Sequence, residues 1–201
     1  MQSETKTMVA FHGDLAIKDK YLARVRAHRE ADEIVQGYDY WADGKGCAIG
    51  CTLHSGNHAA YETELGIPRA IARLEDGIFE GLEVGLARQW PERFLAAITP
   101  GADLSRVLPQ FFVWLLVDPT DGVLCFTKTD KMRAAIQAVA DLYGRKLAGE
   151  VISAAEWKKA ARAPAARAEA RAARAAAEAG VSHSQTRAKQ ADKLIELLES
   201  A

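Results

Sequence analysis

Two cysteines and two histidines lie close together in the chain, at positions 47, 51, 54 and 58. The spacing i, i+4, i+7 and i+11 would put Cys47, Cys51, His54 and His58 on one face of a continuous helix. Thiolate and imidazole are the usual protein ligands of zinc and of related divalent metals. We therefore take these four residues as the candidate metal ligands and zinc or another divalent ion as the candidate cofactor.

Helix geometry limits how many of these residues could share one ion. A helix rises 1.5 Å per residue, so Cys47 and His58 would lie roughly 16 Å apart along an unbroken one. A neighbouring pair such as His54 and His58 could bind an ion with ligands from elsewhere, and a break at Ser55 to Asn57 would fold His58 back. The spacing matches no zinc-finger pattern, and Ser55 stands where the H-E-x-x-H proteases have glutamate.

The two cysteines also leave a thiol-dependent reaction open. Active dithiols usually have the spacing C-x-x-C at the start of a helix, where the thiol pKa is lowered. Cysteines at i and i+4 of a regular helix hold their sulfurs too far apart for a relaxed disulfide. We expect Cys47 and Cys51 to be reduced and unbridged. Close helix packing through small residues is the structural alternative for both.

The segment 38–66 surrounds these residues with aromatic side chains and a glycine-rich turn. Small-ligand sites usually combine aromatic walls with a few polar groups, so a ligand is expected here. Lys45, Tyr61 and Glu62 are the candidate cofactor-binding neighbours. The turn Asp43–Gly46 could hold an anion on backbone N–H groups, or be a flexible turn before a helix. The remaining histidines stand alone in sequence and are predicted to be solvated or to cap helices: His12, His28 and His183.

Most long segments of the chain carry a helical period. Apolar residues recur at three- and four-residue spacing in segments 19–38, 68–82, 104–116 and 129–147, of which 104–116 is predicted to be largely buried. Segment 122–127 alone looks like a strand, and one strand cannot make a sheet. Helix caps are predicted at Thr129 and at Ser153 with Glu156. The predicted fold is all-α: a compact multi-helix domain with an alanine-rich C-terminal helical appendage.

Composition divides the chain near residue 150. The last 51 residues contain 18 alanines, whereas every Phe and Tyr and three of the four Trp lie earlier. Because bulky apolar side chains build a core, we predict a helical core domain over 1–150. An Ala/Arg-rich C-terminal helical arm is predicted over 151–201. The arm is either a solvated strut or a partner-docking helix that uses four apolar residues: Leu194, Ile195, Leu197 and Leu198.

Charge and hydropathy exclude several classes of protein. The formal net charge is -1, which argues against a nucleic-acid or membrane-surface binder. The longest apolar run, Phe111 to Val117, is far shorter than the roughly 20 residues that span a bilayer. The first ten residues lack the apolar stretch of a signal peptide. Three cysteines do not form a secreted disulfide framework, so a reducing cytoplasm is expected.

The sequence resembles a known group of proteins in four stretches: GKGCAIGCTLHS, YETELGIP, WPERFLAAI and GADLS. It resembles an uncharacterised family of bacterial and phage-encoded proteins with a G-K-G-C-x-x-G-C-x-x-H signature, over about residues 11–150. The resemblance implies a soluble cytoplasmic protein and brings no activity, substrate or catalytic residue.

Two functional hypotheses follow. The first is a non-catalytic helical binding or interaction protein that contacts a protein partner or a second copy through the arm or through segment 38–66. The alternative is a small metal- or thiol-dependent enzyme with a site built around Cys47, Cys51, His54 and His58. Convergence of these side chains on a cleft would favour the enzyme.

Overall fold

The computed structural model describes residues 8–37, 40–161 and 183–201. It confirms the all-α class, because helices account for most of these residues and the one sheet among them has two short strands. The α-helices of the described ranges are α1 (Leu15–Glu30), α2 (Ala48–Leu53), α3 (Ala60–Leu65), α4 (Arg69–Phe79), α5 (Val84–Ala97), α6 (Val107–Val117), α7 (Asp130–Leu147), α8 (Ala154–Ala161) and α9 (His183–Glu199).

Local sequence signals set several helix starts. The Asp14 carboxylate accepts from the Ala16 N–H at 2.8 Å and caps α1. The predicted cap at Thr129 is confirmed, because its hydroxyl accepts from the Met132 N–H. The predicted capping box is also present before α8, where Ser153 and Glu156 exchange side-chain-to-backbone hydrogen bonds. Such caps satisfy N–H groups that have no partner within the helix.

A small β-hairpin that was not predicted from the sequence precedes α2. Strands β1 (Trp41–Ala42) and β2 (Lys45–Gly46) pair antiparallel around the two-residue turn Asp43–Gly44. Both turn residues have positive φ, +50° and +80°, as an Asp-Gly hairpin turn requires. The predicted strand-like segment 122–127 is instead a 3₁₀ turn over Val123–Phe126, so that prediction was wrong.

The segment that carries the candidate ligands is not one helix. Helix α2 ends at His54, which adopts the left-handed conformation with φ 55°. An irregular stretch then leads to α3. The chain therefore changes direction between Cys51 and His58, close to the break considered at Ser55 to Asn57.

The described helices group into two compact units. Unit 1 comprises Met1–Ser105 and Arg187–Ala201, and unit 2 comprises Arg106–Thr186. Unit 2 is thus an insertion in the sequence of unit 1. The boundaries of these units differ from the predicted domain boundary at residue 150. Independent folding of residues 1–150 stays a prediction.

The core of unit 1 is built from large side chains on α1, α3, α4 and α5. Tyr21, Phe79, Trp90 and Phe94 are all essentially inaccessible to solvent. Helix α9 completes this core with Leu194 and its neighbours. Of the four apolar residues proposed to dock a partner, three are buried within the chain's own fold: Leu194, Leu197 and Leu198. The fourth, Ile195, is partly exposed.

Unit 2 pairs α6 with α7, and α8 follows. Phe112 on α6 stacks on Tyr143 of α7, with ring centroids 5.1 Å apart, and Tyr143 contacts Trp157 of α8. The Arg145 guanidinium binds the Glu156 carboxylate at 2.9 Å and adds a polar link from α7 to α8.

The alanine-arginine stretch over 165–179 lies outside the described residues. Among the helices within 8–37, 40–161 and 183–201, none combines the length and the apolar character needed to cross a bilayer.

Candidate functional site

Three glycines of the segment 38–66 bring the chain close to Tyr40. A Cβ atom on Gly46 or on Gly50 would overlap the Tyr40 carbonyl oxygen, and one on Gly56 would press against the Tyr40 ring. Glycine is therefore required there by contact rather than by backbone conformation. This packing fixes the β-hairpin against α2 and so places Trp41 beside the end of α2.

Two histidines meet at the end of α2. The Nε2 atoms of His28, in the last turn of α1, and of His54 lie 2.8 Å apart. The Nδ1 atom of His28 lies 2.6 Å from a carboxylate oxygen of Glu33. The three side chains form a chain of hydrogen bonds, and we call His28 and His54 the imidazole pair.

Neighbouring groups hold the imidazole pair in place. The Trp41 indole stacks on the His54 ring, with centroids 4.3 Å apart and planes 18° from parallel. The backbone of Glu33 is tied to β2 because the Gly46 N–H donates to the Glu33 carbonyl at 3.0 Å. The thiol of Cys51 donates to the carbonyls of Gly46 and Glu33. Cys51 thus supports the backbone behind the imidazole pair.

The environment favours the neutral form of His54. Desolvation lowers the His54 pKa, and the positive charge of Arg24 lowers it further. Arg24 is held nearby because its guanidinium donates to the Thr52 carbonyl at 2.8 Å. The His54 ring remains exposed to solvent at the end of α2, so a group from solution can reach the imidazole pair.

The other two candidate ligands lie around a different carboxylate. The His58 Nε2 atom lies 3.3 Å from an Asp76 carboxylate oxygen, and the Tyr40 ring packs edge-on against the His58 ring. The Cys47 side chain interacts with the same Asp76 side chain. Cys47 and His58 therefore lie around Asp76, whereas Cys51 and His54 lie near Glu33.

The thiols of Cys47 and Cys51 are poor nucleophiles in this fold. Burial raises the pKa of Cys47 to about 12, and the Asp76 carboxylate adds to the rise. Burial likewise raises the pKa of Cys51 to about 12. All three cysteines are free, and Cys125 is the exposed one. Because the thiolate is the reactive species, the arrangement offers no support for a reaction at Cys47 or Cys51.

A buried acid lies behind Asp76. Glu75 on α4 and Tyr61 on α3 are both fully inaccessible to solvent. The Tyr61 hydroxyl approaches the Glu75 carboxyl, but neither group reaches hydrogen-bond geometry. Burial raises the pKa of Glu75 well above its usual value, and the charge of Asp76 adds to the rise. Burial therefore favours the protonated form of Glu75.

The four predicted ligands thus do not converge on one ion. Within the described ranges, no group of three or more His, Cys, Asp and Glu side chains is arranged to hold a metal. The pairs separate because α2 ends at His54 and the chain turns before His58. His28 belongs to the site, although the sequence predicts it to be solvated or to cap a helix. Its i, i+5 relation to Glu33 was the available signal.

The predicted cofactor-binding residues lie apart. Lys45 is exposed on β2. Tyr61 is buried in the core of unit 1. The Glu62 carboxylate accepts from the Arg69 N–H at 3.0 Å, which supports the start of α4. Burial of Tyr61 and the structural contact of Glu62 leave Lys45 as the accessible member of this group.

Helix α6 of unit 2 is almost entirely apolar. Helix α6 has the sequence VLPQFFVWLLV, in which Gln110 is the one polar residue. A helix that is apolar all round is normally buried on every side. Here Val107, Pro109 and Phe111 are buried and the other residues of α6 are partly exposed, so the helix is less completely buried than its composition predicts. We define the apolar surface of unit 2 as the partly exposed residues 112–117 together with the turn 123–126.

The apolar surface carries the exposed thiol. Cys125 lies in the 3₁₀ turn Val123–Phe126, and its Sγ donates to the carbonyls of Asp118 and Pro119. Val123, Leu124 and Phe126 around it are partly exposed. A reagent that reacts with thiols would therefore report on this surface.

The resemblance to the bacterial and phage-encoded family stays a prediction. Comparison with protein-family models, with curated proteins and with solved structures finds no match.

Proposed function

We propose that the protein is a cytoplasmic helical interaction protein that pairs with a second copy of itself through the apolar surface of unit 2. The observation that carries the proposal is the incomplete burial of α6. Six consecutive large apolar residues, 112–117, remain partly exposed. Contiguous exposed apolar surface of this kind is typical of protein interaction sites.

Few of the described aromatic side chains of unit 2 are buried. Among its described aromatic residues, Phe111 is the one that is buried, whereas Phe112, Trp114 and Tyr143 are partly exposed. Small helical units bury too little apolar surface to be very stable alone. Covering α6 with a partner would add buried area where the unit lacks it.

The absence of charge on this surface points to the occupant. Residues 112–117 and 123–126 contain no charged side chain, so a charged partner surface would lose hydration without gaining an ion pair. The large exposed apolar residues elsewhere in the described chain are scattered: Met8, Leu15, Tyr40, Val84, Leu86 and Val151. The best available complement is therefore the same surface on another copy, in a twofold pair.

Cytoplasmic localisation is part of the proposal. An accessible unpaired thiol such as Cys125 suits a reducing compartment, since exposed thiols oxidise readily outside it. The arm, proposed as an alternative contact surface, is less suited because Leu194 and Leu198 are already buried in unit 1.

Light scattering coupled to gel filtration tests the proposal. The full chain should elute with twice its chain mass of 21.8 kDa. Leu116→Lys and Leu124→Lys should each give a monomer with unchanged helical circular dichroism, because a lysine ammonium cannot be buried unpaired in an apolar interface. Val84→Lys is the matched control, since Val84 is an exposed apolar residue of unit 1. A monomeric wild type, or dimers of both unit 2 variants, would contradict the proposal.

A further inference from the structure

We infer that the imidazole pair binds one divalent transition-metal ion such as Zn²⁺, through Nε2 of His28 and Nε2 of His54. This site is in unit 1 and is independent of the proposed pairing through unit 2. It differs from the predicted four-ligand site, because it takes His54 alone from that set and adds His28.

The proton arrangement between the rings leaves room for one cation. The carboxylate of Glu33, 2.6 Å from Nδ1 of His28, requires a proton on that nitrogen. Neutral His28 therefore presents a lone pair at Nε2, toward Nε2 of His54 at 2.8 Å. Two facing lone pairs repel each other, so one proton or one metal ion must lie between them.

The carboxylate behind His28 is the partner that metal-bound histidines usually have. Imidazole ligands commonly donate their second N–H to a carboxylate, which fixes the tautomer and makes the ligating nitrogen more basic. Glu33 occupies this position, and its backbone is held by β2 and by the Cys51 thiol. The Trp41 ring stacks on the His54 imidazole and so restrains its plane.

The pair fits a metal after a small opening. With metal–nitrogen bonds of 2.0–2.1 Å at a tetrahedral angle, two ligating nitrogens lie about 3.4 Å apart. The present separation of 2.8 Å would have to widen by about 0.6 Å. His54 is the exposed residue that caps the C-terminal end of α2, so its ring can move outward without disturbing the core.

The donor set defines the class of ion. Imidazole suits zinc, copper, nickel and cobalt, whereas magnesium and calcium prefer oxygen ligands. Solvent-exposed His54 leaves the remaining coordination positions open to water. The site is therefore of the open kind, in which a small molecule can take the free positions.

Calorimetric titration of the metal-free full chain with Zn²⁺ tests the inference. One ion should bind per chain. Glu33→Gln should weaken binding by about 10–100-fold, the usual effect of losing such a carboxylate partner, and His54→Ala by at least as much. His58→Ala is the matched control, because His58 contacts Asp76 instead, and it should leave the affinity unchanged.

Fluorescence provides a readout at the site itself. Bound Cu²⁺ should quench Trp41, which stacks on His54, and the quenching should be lost in Trp41→Phe. If His28→Ala fails to fold, His54→Ala alone decides the test, because His54 is exposed and its replacement should leave the fold intact. Absence of zinc binding, or equal zinc affinity in wild type and His54→Ala, would overturn the inference and leave a shared proton in the pair.

Discussion

Cys47 and Cys51 lie one helical turn apart and yet belong to different clusters. The Cys47 side chain interacts with Asp76, whereas the Cys51 thiol donates to the Glu33 carbonyl. Side chains at i and i+4 of a helix normally share a face, but Cys47 is the residue before α2 and has an extended backbone. The cysteine spacing therefore predicts a common site that the fold does not provide.

Thiol accessibility should follow this arrangement. Iodoacetamide applied to the native protein at neutral pH should modify Cys125 first, and Cys47 and Cys51 only after unfolding. The reason is their burial, which raises both pKa values to about 12. Mass spectrometry of the digested protein locates the modified residues. Rapid modification of Cys47 in the folded protein would restore the thiol-dependent hypothesis.

Glycine at position 50 should be essential to stability. Gly50→Ala places a methyl group on the Tyr40 carbonyl oxygen, and strain of this kind in a packed interior typically costs about 1–3 kcal/mol. Thermal unfolding followed by circular dichroism measures the effect, which should appear as a lower melting temperature.

Gly77→Ala is the control for that measurement. Gly77 lies inside α4, and a Cβ there meets no atom within 4 Å. Alanine at such a position is expected to stabilise the protein by about 0.4–1 kcal/mol. If both variants melt at the same temperature, the contact with Tyr40 does not govern the choice of glycine.

Local signals in the sequence were enough to predict the helical class and several helix starts. Thr129 caps α7 and Ser153 caps α8 through hydrogen bonds within three residues, so neighbouring residues decide them. The hairpin at 41–46 has a local signal in its Asp43–Gly44 turn, but it also depends on the bridge from Ile34 to Gly46 and on packing against Tyr40. No nearby pattern records these contacts.

The candidate site could be predicted only in part for the same reason. His54 was identified from its spacing, but its partner His28 lies 26 residues earlier on α1. Only the packing of α1 beside α2 brings the two rings together. Helix α6 shows the reverse case, since its apolar composition predicts burial that the described residues of the chain supply only in part.

The stability of unit 1 should depend on pH through Glu75. Its pKa is about 4.5 in the unfolded chain and well above that value in the fold. The folded protein therefore keeps a proton that the unfolded chain releases. The stabilisation from Glu75 is fully present below pH 4.5 and is lost as the pH rises toward the folded pKa.

Glu75→Gln should remove this dependence. The melting temperature of Glu75→Gln minus that of wild type should be a few degrees more positive at pH 8 than at pH 5. The size of the change follows because ~1 kcal/mol corresponds to about 2–4 °C in a chain of this size. Glu199→Gln, at an exposed position of α9, should show no such change. Parallel curves for Glu75→Gln and wild type would show that Glu75 ionises alike in both states.

Helix α9 should be integral to unit 1. Leu194 and Leu198 are fully buried, and Leu→Ala at such sites typically costs 2–5 kcal/mol. Each variant should lower the melting temperature, whereas Val151→Ala, at a residue 95% exposed, should not. A chain ending at Glu150, predicted from composition to melt cooperatively, should melt at a lower temperature. An unchanged transition would show that residues 1–150 are self-sufficient.

Reactivity of Cys125 as a function of protein concentration tests the proposed pairing most directly, because this thiol lies within the apolar surface of unit 2. Dilute protein should react with a disulfide reagent at the rate of an exposed thiol. At concentrations that favour pairing, the rate should fall at least about tenfold, the change that ~1.4 kcal/mol of protection produces, and Leu116→Lys should abolish the decrease. A rate that is independent of concentration would contradict the pairing of two copies through this surface.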